Sequence, residues 1–445
     1  MSAIVPDGRA PQLDSRMGTY FLDWANLLLR FAHVVTAIAW IGASFYFVLL
    51  DNSLSRPDSE ELQGKGVDGE MWAVHGGGFY HSNKYMVAPR WRPLPQNLHW
   101  SYWESYSTWL TGFGLLTVLY LFNAGSFLID RNVHAWEPSA AIAAVLSFLV
   151  VFWVLYDTIC RTLGRGKHGD LQVGVLVFSL VVLAAWIACH LFAGRAAFLL
   201  VGAMMATAMT ANVFFWIIPG QRKVVAQLRA GQEPDRIHGI RGKQRSVHNT
   251  YFTLPVIFAM LSNHYGFLYQ GADNWVTLVG VMLAGALIRH SFVSRHKAHV
   301  LGTRTPWEHA FIGAVILMGV LIGRMPRPPE TLAAAAPVPL STPAAAPAAS
   351  AAASAASGGA VAAARPGSFA SMKAVVDQRC VLCHNAQVRN KGIELDRPDL
   401  IKQHAQEVFQ QAVLLRNMPL NNATGITDQE REVIRQWYDA GALVD

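Results

Sequence analysis

Residues 138–156 read PSAAIAAVLSFLVVFWVLY, nineteen positions without a charge. At about 1.5 Å of rise per residue, a helix of that length nearly crosses the roughly 30 Å hydrocarbon layer of a bilayer. Lipid offers no partner to bare backbone N–H and C=O groups, so a spanning run of this kind has to be helical. Comparable uncharged blocks lie on both sides, at 31–50, 105–129, 171–194, 196–221 and 246–272. Two shorter ones of 15 residues each follow at 274–288 and 309–323. Both have tryptophan and basic residues at their ends, as interfacial anchors require. The composition agrees: 52% of the chain is hydrophobic and only 15% is charged, where soluble domains carry about 25%. These values exclude an ordinary soluble enzyme, a disordered scaffold and a disulfide-built secreted domain.

The blocks predict an all-α, polytopic membrane domain over residues 1–326, with eight spans near 23–50, 105–129, 138–158, 171–191, 196–219, 248–270, 274–292 and 307–325. Eight spans place both termini on one side of the bilayer. The loops after odd-numbered spans hold nineteen Lys and Arg residues, while those after even-numbered spans hold only Arg131 and Arg195. By the positive-inside rule the odd loops face the cytoplasm and both termini lie outside, although Arg324 and Arg327 weigh slightly the other way. The net charge of +7 is thereby explained by topology and calls for no nucleic-acid partner. Residues 1–22 contain no apolar core, so the first span is expected to act as an uncleaved anchor.

Beyond Arg324 the character changes. Residues 327–366 are rich in Ala, Pro and Ser and read as a tether. Residues 367–445 form a small polar domain that gains from a covalent cofactor. It contains Cys380-Val381-Leu382-Cys383-His384. The pattern C-x-x-C-H is that of c-type haem attachment, two thiols for the vinyl groups and a histidine for the iron. Met418 is the expected second axial ligand and a soft one, with His404 as a rival. Thr427 and Glu430 predict a capped helix with Val433, Ile434 and Trp437 on its apolar face. The whole of 367–445 resembles the small class I cytochrome c fold, whose haem is attached in an oxidising compartment, in agreement with the side assigned from loop charge.

A one-electron haem domain needs one helix as an anchor, not eight, so the membrane domain is expected to do chemistry or handle quinone. Ionisable groups inside spans are candidates by default. His33, His190 and His264 lie toward the outer face in the assigned topology and are candidate ligands of a non-covalent haem b; Arg30, one turn before His33, would pair with a propionate. The bland alternative is that these histidines bridge helices. Toward the inner face lie His75-Gly76-Gly77-Gly78-Phe79-Tyr80-His81-Ser82-Asn83-Lys84, then Trp91, His99, Trp100 and Trp103, and, further on, Arg245, His248 and Asn249. His290, His296, His299 and His309 surround the seventh loop, where a metal site and a solvated loop are equally open readings.

On the residues His33-Val34-Val35-Thr36-Ala37-Ile38-Ala39-Trp40-Ile41-Gly42 and the stretch 72–84, the block 15–326 resembles the membrane-bound urate oxidase (urate hydroxylase) family fused to cytochrome c. The first-span residues are also similar to the membrane protoporphyrinogen oxidase family, where the His33 position ligates haem. The first resemblance implies oxidation of urate to 5-hydroxyisourate, with water supplying the oxygen. It further implies electrons leaving through haem c to a soluble cytochrome c or a terminal oxidase, in a bacterial inner membrane with the cytochrome domain in the periplasm. Such a pocket must bind a planar anion and remove a ring proton. Arg245 or Lys84 would neutralise the substrate, and His75, His81 or His248 would relay protons. Phe79 or Trp91 would stack on the purine. Substrate entry from either face is compatible with the sequence. Two rivals remain: a quinol or other small-molecule dehydrogenase feeding cytochrome c, and a non-catalytic electron-transfer module serving a partner enzyme.

Overall fold

The computed structural model describes residues 10–86, 89, 93–130, 133–164, 169–269, 273–325, 367–386, 393–414 and 416–444. The expected tether at 327–366 and the aromatic Trp91 lie outside the described residues. The chain divides into two compact units, residues 1–318 with 415–425, and residues 319–414 with 426–445.

The first unit is almost entirely helical. Its elements are α1 (Ala10–Ser53), α2 (Glu60–Gly64), α3 (Trp103–Leu116), α4 (Ala124–Phe127), α5 (Pro138–Leu163), α6 (Gly169–Leu191), α7 (Gly194–Ala211), α8 (Ile218–Arg229), α9 (Arg236–Leu261), α10 (Asn274–Val300) and α11 (Glu308–Gly323). Five helical stretches among the described residues are long and apolar enough to cross a bilayer: Trp24–Ser53, Pro138–Leu163, Gly169–Leu191, Gly194–Arg229 and Asn274–Val300. The other three apolar blocks are helical too, and each departs from an uninterrupted span. The block at 105–129 passes from α3 into a π turn at Thr117–Leu121 and then the short α4. That at 248–270 is the second half of α9, whose first ten residues carry four basic side chains, followed by 3-10 turns at Ser262–His264 and Gly266–Leu268. The last, α11, has 16 residues.

The core is built around α7, which lies against α3, α5, α6 and α9. Its small residues Ala196, Ala197, Ala208 and Gly202 let neighbours approach, and Phe198, Met204 and Met205 fill the space between them. Tyr156, Phe192 and Leu278 complete the same cluster. The opposite pattern holds on α1, where Leu27, Leu28, Phe31 and Ile38 are exposed. A large exposed apolar surface of this kind is what lipid covers.

Two departures from the expected layout concern the loops after the first and fifth expected spans. The loop at 222–245 is mostly helix, because α8 runs on to Arg229 and α9 begins at Arg236, with Asp235 accepting from the Ile237 N–H at its N-terminus. The first loop contains the one sheet among the described residues, an antiparallel hairpin of β1 (Gly69–His75) and β2 (Gly78–Lys84), so the all-α expectation is corrected there. The Gly76-Gly77 pair turns it at φ of +60° and +81°, a region in which side chains with a Cβ are strained.

The second unit holds α12 (Phe369–Arg379), α13 (Pro398–Gln403), α14 (Ala405–Val408), a π turn at Phe409–Leu414 and α15 (Asp428–Asp439). Helices α12 and α15 enclose a core of Met372, Val376, Ile401, Ile434 and Trp437. As expected from sequence, Thr427 and Glu430 form a capping box at the start of α15. Glu430 also pairs with Arg379 at 2.9 Å, tying the two helices together. Burial acts to raise the Glu430 pKa, but the Thr427 and Arg379 contacts prevail and hold the carboxyl below its usual range.

Candidate functional site

Three helical segments converge on one buried polar network in the first unit. Helix α5 supplies Tyr156, Asp157 and Cys160. The π turn Asn212–Ile217 supplies Asn212 and Trp216, and α9 supplies Arg245, His248 and Asn249. The π turn has a local cause. Pro219 has no N–H and its ring excludes the carbonyl four residues earlier, so the helix widens just before it.

Arg245 is the centre of the network and only 3% exposed. Its Nη2 donates to Asp157 Oδ1 at 2.7 Å and its Nη1 to Asn212 Oδ1 at 3.2 Å. Its guanidinium also lies over the rings of Tyr156 and Trp216, at 5.0 and 5.2 Å. Trp216 Nε1 donates to Asp157 Oδ1 at 2.7 Å. Asn212 Nδ2 donates to the Tyr156 hydroxyl and to Asn249 Oδ1, both at 2.9 Å. Since the Tyr156 oxygen accepts from Asn212, its own proton is available to His248 Nδ1, 2.9 Å away. The ring of His248 then carries its hydrogen on Nε2. Cys160 Sγ stands 3.8 Å from the same Nδ1. The arrangement is a charge-neutral pair joined to a tyrosine–histidine proton path, and such fully satisfied networks fix geometry at a single arrangement.

Of the sequence-derived candidates, Arg245 and His248 are thus brought together. The other three lie on the hairpin and make their own contacts. His81 Nε2 meets Glu70 Oε2 at 2.5 Å and its ring stacks on Trp72 at 4.1 Å. Lys84 Nζ pairs with Asp51 Oδ1 at 2.6 Å, and His75 is exposed at the turn. The positive charges of Arg245 and Lys84 are therefore both already met by carboxylates. Asp157, Tyr156, Asn212 and Trp216 were not singled out from sequence. A carboxylate at the end of an apolar run was the available signal for Asp157.

His33 Nδ1 lies 3.0 Å from the Thr108 carbonyl oxygen and 3.2 Å from Thr111 Oγ1. Donation from Nδ1 to the carbonyl leaves Nε2 with its lone pair, the state a metal ligand requires. The ring sits where Gly112 of α3 has no side chain; a Cβ there would lie 2.8 Å from His33 Cε1. His190 Nδ1 is bonded to the Trp186 carbonyl of its own helix at 2.7 Å. His264 ends the 3-10 turn Ser262–His264, and Arg30 Nη2 donates to Asn26 Oδ1 at 3.3 Å. Neither of these two bonds involves His33. Among the described residues no three His, Cys, Asp or Glu side chains converge as a metal-binding group, the seventh-loop histidines included.

In the second unit, Cys380 closes α12, and the N–H groups of Cys383 and His384 both donate to its carbonyl at 3.1 Å. Both thiols are free. Burial pushes the Cys380 thiol up to about 11. His384 Nδ1 faces the Ile393 carbonyl oxygen at 3.3 Å, which again leaves Nε2 as the free ligand atom. Two free thiols and an imidazole fixed in that tautomer form a donor set that fits a covalent haem. Met418, followed by a cis bond to Pro419, lies in the stretch 415–425, which is grouped with the first unit.

Residues 19–322 match the sequence profile of the family described as "Urate oxidase N-terminal". No curated protein and no solved structure matches the chain.

Proposed function

The chain belongs to the urate oxidase N-terminal family, and on that premise we propose that it oxidises urate to 5-hydroxyisourate within the membrane and passes the electrons to a respiratory acceptor. It is an oxidoreductase of the urate oxidase type with a multi-pass membrane domain. The observation that carries the proposal is the extent of the match, which takes in every apolar helix of the first unit and the whole Arg245–His248 network.

The overall conversion consumes urate and water and releases two electrons and two protons, so the chain has to provide a proton route and an electron outlet. For the first, Tyr156 and His248 hold a proton between the tyrosine oxygen and Nδ1, and Asn212 orients the tyrosine from the other side. Asp157 and Arg245 keep that pair fixed and electrically neutral. His75, His81 and Lys84 stand on a hairpin at the same side of the bilayer as the network in the proposed topology, where they can bind or orient the substrate as it enters.

For the second, Cys380, Cys383 and His384 would hold a haem c, and Met418 is the candidate for a further ligand from this chain. Bound there, it would supply a one-electron relay at the outer face. His33 would hold a haem b in the outer half of the bundle, with Arg30, His190 and His264 toward the same end. We propose eight spans with both termini and the cytochrome domain in the periplasm of a bacterial inner membrane, the lipid bilayer covering α1, and a soluble cytochrome c or terminal oxidase as acceptor.

The test is anaerobic mixing of the purified full-length protein with urate while the c-type absorbance is followed. Reduction of the haem with loss of urate is the expected result. It should disappear in the Cys380→Ala/Cys383→Ala variant, which should still consume urate when given an artificial one-electron acceptor. A wild-type protein that leaves urate unchanged with either acceptor would overturn the proposal, and reduction by quinol alone would favour a quinol dehydrogenase instead.

A further inference from the structure

Near the end of its apolar run, helix α10 carries an arginine with two buried donors that no acceptor meets among the described residues. Arg289 follows the apolar run 274–288. Its guanidinium carbon lies 3.8 Å from the ring centroid of Phe45, on α1. Its Nε and Nη2 are buried and have no acceptor among the described residues. Three other cations are paired with carboxylates: Arg245 with Asp157, Lys84 with Asp51 and Arg304 with Glu308. Arg289 is half-buried, and two donors held away from water without an acceptor cost free energy even with an aromatic face beside them. An arriving anion would relieve that cost.

The chemistry of the two bare donors narrows the class of anion. Nε–H and Nη2–H form one edge of the guanidinium and point the same way, a side-on fork for two neighbouring acceptor atoms in one plane. Carboxylates present such a pair. So does a deprotonated oxopurine, through a ring nitrogen and the adjacent carbonyl oxygen. Urate is a monoanion at neutral pH and offers that edge.

The neighbouring residues suit a purine better than a simple carboxylate. One position along α10, His290 Nδ1 is bonded to the Tyr251 hydroxyl at 2.6 Å. The His290 ring lies 4.4 Å from that of His309 on α11, and His309 Nδ1 is buried without a hydrogen-bond partner among the described residues. Tyr251 lies one turn beyond His248 on α9, so the cluster adjoins the proton path already described. An oxopurine has N–H and C=O groups around its whole rim and can engage such imidazoles as well as the fork.

We propose that Arg289 is the anion-binding residue of the urate site, gripping the deprotonated edge through Nε and Nη2, with His290 and His309 beside it. The assignment rests on the proposed urate oxidation and locates its substrate. It also accounts for the pairing of Arg245 and Lys84 with carboxylates, since neither is then needed to neutralise the substrate.

The experiment measures equilibrium binding of urate, under anaerobic conditions, to the detergent-solubilised full-length holoprotein and to its Arg289→Gln and Arg289→Lys variants. Binding should weaken about tenfold or more in R289Q, and by a smaller factor in R289K, which keeps the charge but loses the fork. Tetramethylurate, with no ionisable N–H, should bind wild type and R289Q alike. Thermal stability without urate should be unchanged or higher in R289Q, because the two unmet donors are removed. Wild-type turnover of urate together with unaltered binding in R289Q would overturn the assignment and leave the proposed activity standing. A marked loss of stability in R289Q would show a structural role instead, and a wild type that neither binds nor oxidises urate would overturn both.

Discussion

Replacing Asp157 by Asn tests whether the Arg245 network is organised as the geometry describes. Asp157 Oδ1 accepts from both Arg245 Nη2 and Trp216 Nε1, each at 2.7 Å, and its side chain is 12% exposed against 3% for Arg245. Removing one partner of a buried ion pair costs about 3–5 kcal/mol, because the other charge stays behind in an apolar surrounding. An Asn oxygen can still accept one hydrogen bond, so D157N should fall at the lower end, about 3 kcal/mol. Arg161, 3.8 Å from the other carboxylate oxygen and mostly exposed, adds little. Equilibrium unfolding in mild detergent, followed by tryptophan emission, reads the change. The pairing has a second signature. Asp157→Leu combined with Arg245→Met removes both charges and should be about 2 kcal/mol more stable than Asp157→Leu alone. A cost below about 1 kcal/mol for D157N, or no recovery in the double variant, would refute the reasoning.

Further expectations follow from other contacts. Gly112→Ala places a Cβ 2.8 Å from His33 Cε1 and should destabilise the first unit by about 1–3 kcal/mol in the same unfolding assay. Paired with His33→Ala it should cost much less than alone. Thr427→Ala removes the cap of α15 and should cost about 1 kcal/mol of second-unit stability. Glu430 has a folded pKa below its ordinary value of 4.5, so its contribution is complete above that value and disappears as the pH falls through the folded pKa. Melting of the second unit should therefore fall on acidification below about pH 4.5 more steeply in the wild type than in Glu430→Gln.

Much of the helical layout could be read from hydropathy, because lipid and core both demand uninterrupted apolar helix. Residues 138–158, 171–191 and 274–292 fall inside α5, α6 and α10. The Thr427–Glu430 box was equally readable, since its two residues are only three apart. The hairpin Gly69–Lys84 was not. Its strands mix charge, imidazole and aromatic residues without clean alternation, and only the Gly76-Gly77 turn announces it. The polar network was half legible. Arg245 and His248 stood out as ionisable groups at the start of an apolar block, whereas Asn212 and Tyr156 are ordinary residues until α5, the π turn and α9 bring them within 2.9 Å of one another. Arg289 was visible as a charge breaking an apolar run. That its Nε and Nη2 meet no acceptor among the described residues is a property of the packing around it, which a sequence does not display.

The most direct test of urate oxidation with electrons leaving for a distant acceptor is a turnover of urate by the purified protein in oxygen-free, oxygen-18-labelled water with an added electron acceptor. The product should be 5-hydroxyisourate carrying one oxygen-18 atom, formed with two reducing equivalents per urate consumed. No consumption of urate without oxygen, or an unlabelled hydroxyl in the product, would contradict the account.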